Sequence, residues 1–261
     1  MAVCFVALLR IVKAYGVFYF KPELYVLAFC LIVVSYNFIK YIGLVYKREN
    51  FLFKRLIVLL SIICIIPILW LILNDHFKAW FILGVISVLV IFYTIPFYRG
   101  RSLRYGVFFK VLTVVFSWCL LLVIFPLYSD YAIKRTITCS WHRPDWILYL
   151  LRSIQLISFV FALCIPFEIR DLKYDSFKVK TLPQVIGIKN TKRLGYTLVS
   201  VLLFIQFLIY TQTNLLELDI ILTFIVLGMA IYFSDKFKSD YYASFFVEAI
   251  PLLWLGMYWV F

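Results

Sequence analysis

Apolar residues fall in nine runs, each close to the roughly 20 residues that a bilayer crossing needs. They cover about 2–20, 24–46, 52–73, 77–98, 106–128, 146–166, 194–212, 215–233 and 241–261. The connections are short apart from two polar stretches, about 129–145 and 168–193. The pattern predicts an all-α, polytopic membrane protein with nine transmembrane helices in one domain spanning 1–261. No soluble domain, low-complexity linker or clear repeat interrupts it. The first run carries Arg10 and Lys13 near its middle, where a charge costs roughly 2.5–3.5 kcal/mol on insertion scales. Either they face a polar cavity, or the chain starts late and both lie nearer the end of a longer span.

Composition strengthens the membrane reading. The chain is 65% hydrophobic with a mean hydropathy of +1.00, well above the roughly half-apolar usage of soluble domains. Aromatic residues such as Trp80, Tyr93, Tyr98, Trp141, Trp146, Tyr241, Tyr242 and Trp259 sit near the ends of the runs, as in interface belts. The net charge of +13 points to Lys- and Arg-rich cytoplasmic loops rather than to a nucleic-acid partner. One set of connections holds Lys47, Arg48, Lys54, Arg55, Arg99, Arg101, Arg104, Lys110, Arg170, Lys173, Lys178, Lys180, Lys189, Lys192, Arg193, Lys236 and Lys238. The opposite set holds only Lys21, Lys78, Lys134, Arg135 and Arg143. This bias places the N-terminus and the 168–193 stretch in the cytoplasm, and nine spans then put the C-terminus outside. The six cysteines have neither metal-ligand spacing nor a disulfide framework. Nothing at the start of the chain reads as a cleavable signal peptide.

Three of only 13 acidic residues, Glu168, Asp171 and Asp175, close the sixth run. Their i, i+3, i+7 spacing sets them on one helix face. Carboxylates crowded there repel unless a cation neutralises them. Asp171 and Asp175 suit a hard divalent cation such as Mg²⁺, which is usually bound by one or two carboxylates plus substrate phosphates. Arg170, Lys173, Lys178 and Lys180 flank them and suit phosphate oxygens. The bland alternative is a solvated loop whose charges pair among themselves.

The run Pro166-Phe167-Glu168-Ile169-Arg170-Asp171-Leu172-Lys173-Tyr174-Asp175, followed by Lys180-Thr181-Leu182-Pro183 and Gly187, resembles the second aspartate-rich motif of the UbiA-type intramembrane prenyltransferases. Asp171 and Asp175 match its two aspartates, and Glu168 a frequent acidic residue before them. Tyr93-Thr94-Ile95-Pro96 with Arg99, Arg101 and Arg104, and Ser35-Tyr36-Asn37, are similar to two further family segments. The resemblance implies nine helices around a central cavity. It implies an isoprenyl diphosphate bound through Mg²⁺, and transfer of the isoprenyl group to a lipophilic, aromatic or lipid acceptor. On the matching positions, Asp171, Asp175 and Glu168 would hold metal. Asn37, Arg101, Arg104, Lys110 and Lys180 would meet diphosphate. The location implied is a bacterial inner membrane.

The chain departs from the family at the first aspartate motif. No acidic residue follows Asn37 before Glu49, and the first aspartate's place is taken by Lys40 or Tyr41. Lys40 has two readings. It replaces a metal and contacts diphosphate, as a catalytic group beside Asp171 and Asp175, or it pairs with those aspartates and silences the site. Lys110 meets diphosphate or pairs with Glu168 or Glu248. Arg152 is expected in a structural pair with one of the same glutamates. Glu248, a carboxylate in the last span, is either a site candidate on that ground or a hydrogen-bonded structural group. The leading expectation is a membrane prenyltransferase. The alternative is a non-catalytic prenyl-lipid-binding or accessory protein of the same fold. A transporter predicts discontinuous helices or paired repeats, and no convincing pair is present.

Overall fold

The computed structural model describes residues 1–15, 21–46, 53–74, 80–95, 102, 106, 108–128, 145–174, 181–237, 239 and 241–261. These form nine helical rods and, among the described residues, no strand. They are α1 (Ala2–Ala14), α2 (Glu23–Tyr46), α3 (Lys54–Leu73) and α4 (Trp80–Thr94). The fifth, α5, is composite: Phe109–Cys119, a π-helical stretch Leu120–Ile124, then Phe125–Tyr128. It is followed by α6 (Asp145–Asp171), α7 (Leu182–Thr213) and α8 (Leu218–Phe233). The last, α9, opens with a π-helical stretch, Tyr242–Val247, and continues as Ile250–Val260. Within these rods five segments, Glu23–Ile42, Lys54–Leu73, Trp146–Asp171, Leu182–Thr213 and Tyr242–Val260, are long and apolar enough to cross a membrane. The protein is an integral membrane protein.

Lipid exposure explains the least patterned sequence. Helix α3 buries only Cys64 and Leu71, while Leu56, Ile62, Ile66 and Trp70 face outward. Where the surroundings are hydrocarbon, an apolar residue needs no inward face. Helix α6 is the centre of the bundle. Phe159, Ala162 and Ile165 are fully buried along it, and it packs along α7. Close packing there depends on Gly195: a Cβ at that position would lie 3.0 Å from Ile231 and 3.4 Å from Ile165. Phe159, Phe224 and Trp254 form an aromatic cluster across α6, α8 and α9, with centroids 5.0–6.3 Å apart.

The rods run up and down, so each end of the bundle collects alternate helix termini. One end gathers the starts of α1, α3, α5, α7 and α9 with the ends of α2, α4, α6 and α8. The opposite end carries a polar clasp. Arg152 on α6 donates to both carboxylate oxygens of Glu217 and to Gln155 and Gln206. Beside it, Asp219 accepts from Tyr15 and from Trp254 Nε1, and the Arg152 guanidinium lies 4.7 Å from the Tyr15 ring centroid. The expected structural role of Arg152 thus holds with a different partner. Glu168 is sixteen residues along the same helix, about 24 Å away at 1.5 Å per residue, and Glu248 belongs to the other end of the bundle.

Two boundaries differ from expectation. Helix α1 ends at Ala14, so Arg10 and Lys13 occupy its last turns, where the helix dipole favours cations. The polar stretch 168–193 is largely helical. The sixth helix continues to Asp171, and α7 begins at Leu182, with Thr181 as N-cap, its N–H donating to Gln184 Oε1, and Pro183 in the first turn. Gly187, at φ 80° and ψ 156°, breaks this helix after one turn. Only glycine adopts that backbone readily.

Candidate functional site: a charged mouth over an apolar cavity

A cavity of about 320 Å³ opens among α1, α2, α4, α5, α6 and α9. Its walls are mainly apolar: Leu31 and Ile32 from α2, Leu83 and Ile86 from α4, Trp118 and Leu121 from α5, Val160 and Leu163 from α6. Four charged residues gather at the end where α5 begins and α6 stops. There Lys110, Glu168, Arg170 and Asp171 line it together.

Lys110 joins the cluster. Its Nζ lies 2.6 Å from Asp171 Oδ2 and 3.2 Å from Glu168 Oε1. Arg170 closes on the other oxygen of Asp171, through Nε at 2.9 Å and Nη2 at 2.6 Å, and its Nη1 donates to Ser244 Oγ on α9 at 2.6 Å. Glu168 also accepts from the Leu182 N–H, 3.4 Å away, at the start of α7. Four helices therefore meet at these charges. Their placement is electrostatically unusual. Lys110 is buried in the first turn of α5, the positive end of that helix. Asp171 is the last residue of α6, the negative end. Each charge opposes its own helix dipole and is held by the other.

The residues singled out in the sequence separate into three groups. Glu168 and Asp171 share a face and a partner, as their spacing predicts. The cation on them is Lys110, not Lys40. Lys40 is exposed, its Nζ 5.6 Å from the Tyr36 ring centroid and 5.3 Å from that of Tyr41, and it is not among the α2 residues, such as Ser35, Tyr36 and Ile39, that line the cavity. Asn37 also points elsewhere: its Nδ2 donates to Ser61 Oγ of α3 at 2.9 Å. Asp175, Lys180, Arg101 and Arg104 lie outside the described residues. Tyr93 is buried and lines the cavity. The ion pair between Lys110 and Asp171 joins residues 61 positions apart, and no local spacing signals it.

The described donors do not fit the Mg²⁺ that the motif resemblance implies. Glu168 and Asp171 are hard oxygen donors, but the ammonium of Lys110 lies against both. The α2 segment after Asn37 offers no carboxylate before Glu49. Among the described residues no group of three His, Cys, Asp or Glu is placed to hold a metal ion.

A lipid-embedded helical bundle with a charged mouth above an apolar cavity is the class that fold and site define. No protein-family profile matches the sequence, and no curated protein does. Among solved structures, the apo structure of a UbiA homolog from Aeropyrum pernix K1 superposes with a TM-score of 0.65, covering 99% of this chain and 96% of that one at 11% identity. The chain has that fold.

Proposed function

We propose that this protein is a membrane prenyltransferase of the UbiA type with a reorganised headgroup site. An isoprenyl diphosphate binds with its chain in the cavity and its diphosphate at the mouth, and its isoprenyl group passes to a lipophilic acceptor. The observation that carries this reading is the continuity of the charged mouth with the apolar cavity. An amphiphile with a compact anionic head fits both. The Lys110 ammonium and the α5 N-terminus suit phosphate oxygens, and Arg170 adds a planar donor fork. Asp171 and Glu168 position these two cations. Apolar walls exclude water, which would otherwise quench an allylic cation. No step is assigned to a metal. The mouth faces the cytoplasm of a bacterial inner membrane, in line with the Lys and Arg bias.

A second reading is supported by the closed charge balance of the mouth. Two cations and two carboxylates among the described residues satisfy one another, as in a fold that keeps a prenyl lipid without converting it. Purified protein with radiolabelled geranyl and geranylgeranyl diphosphates and a panel of phenolic and alcohol acceptors separates the two. Transfer product that disappears in Lys110→Ala supports the enzyme. Saturable binding without product supports the lipid-binding protein, and neither binding nor product overturns both.

A further inference from the structure

We infer that Glu248 is the proton acceptor for a hydroxyl-bearing acceptor substrate, an assignment that rests on the prenyl-transfer reading above. Three observations place it. Glu248 lines the same cavity as Lys110, Arg170 and Asp171. It directly follows the π-helical stretch Tyr242–Val247, and its N–H bonds back to Ala243 O. Such π turns re-aim side chains and recur at functional sites. Its depth is fixed by Ser244, which receives the Arg170 hydrogen bond at the mouth. Helix α9 runs from there toward Trp254 and the far-end clasp, so Glu248, four residues on, lies deeper than Ser244. That level is just below a diphosphate held at Lys110 and Arg170, where its C1 carbon would lie.

A carboxylate in a mainly apolar wall selects a ligand that brings a donor. In the structure Glu248 Oε1 meets the amino group of Met1, an N–H donor at the same rim. In the reaction the donor is the acceptor's hydroxyl. The C1–O bond of the isoprenyl diphosphate breaks, and its electron pair leaves on the diphosphate. The acceptor's oxygen, or the ring carbon it activates, supplies the pair for the new bond to C1. The acceptor's proton passes to a carboxylate oxygen of Glu248. An acceptor without a proton to lose finds no role for this carboxylate.

The test uses full-length protein in lipid nanodiscs with geranylgeranyl diphosphate, 1,4-naphthohydroquinone and dodecanol as probes. Glu248→Gln should bind geranylgeranyl diphosphate within about twofold of wild type and keep its Tm. Its transfer rate should fall about 10²- to 10⁴-fold, the usual contribution of a positioned acid–base group, with partial recovery in Glu248→Asp. Transfer by Glu248→Gln within threefold of wild type overturns the assignment and leaves the parent reading standing. So does a parallel loss of diphosphate binding or of Tm, which marks Glu248 as a clasp between α1 and α9. Wild type that binds geranylgeranyl diphosphate but prenylates neither acceptor overturns the assignment through its chemistry. Wild type that binds no diphosphate overturns the parent reading, and the assignment falls with it.

Discussion

At the mouth, one ammonium holds two carboxylates that neighbour each other on a single helix face. Lys110 is buried, so an isolated variant strands charge. Removing one partner of a buried pair costs about 3–5 kcal/mol, most of it from the charge left behind. Lys110→Ala should therefore lower the thermal unfolding temperature in detergent, and Lys110→Ala with Asp171→Asn and Glu168→Gln should recover most of the loss. An unchanged Tm in the single variant would show that the cluster is solvated rather than buried. The sequence made half of this site legible. Glu168 and Asp171 announce themselves by spacing and by the scarcity of acids elsewhere. Their cation does not, because Lys110 and Lys40 are both basic residues near helix ends. Only the packing of α5 along α6 decides between them. Pattern matching along α2 favours Lys40 by motif position, whereas that side chain is exposed and sits against Tyr36 and Tyr41.

At the level of helices, the apolar runs located every rod, and the misjudged boundaries have local causes. Polar residues after Asp171 resemble a loop in composition, yet Thr181, Pro183 and Gln184 are helix-start signals. The one-turn helix they open ends at Gly187. Its backbone at φ 80° and ψ 156° is close to inaccessible to other residues and costs them about 1–3 kcal/mol. Gly187→Ala should reduce Tm although no atom lies within 4 Å of the added methyl. A neutral Gly187→Ala would mean that the break relaxes freely. The far-end clasp is legible in Arg152 and hidden in Glu217, which falls at the start of the eighth apolar run and carries no signal of a partner on the sixth. Arg152→Met alone should destabilise by about 3–5 kcal/mol, whereas Arg152→Met with Glu217→Met should return close to wild type. Equal destabilisation in the single and double variants would deny that the pair acts as a unit.

Across the whole molecule, the count of spans and the up-and-down order are properties that hydropathy can carry, and they agree with a nine-rod bundle. The cavity is not such a property. It arises where rods of interchangeable Leu, Ile and Val diverge, and any one of those residues reads as ordinary core. Leu121, within the π-helical stretch of α5, tests its use. Leu121→Trp should weaken geranylgeranyl diphosphate binding more than geranyl diphosphate binding in a competition assay. Equal effects would place the isoprenoid elsewhere. The central claim is that the mouth holds diphosphate through its own cations. It is tested most directly by titrating geranylgeranyl diphosphate into the purified protein in EDTA, with wild type, Lys110→Ala and Asp171→Asn compared. The account predicts saturable binding without Mg²⁺, weakened at least about tenfold in Lys110→Ala, the scale of one lost charge-assisted contact, and kept or tightened in Asp171→Asn. Binding that appears only with Mg²⁺, is abolished by Asp171→Asn and is indifferent to Lys110→Ala would contradict it.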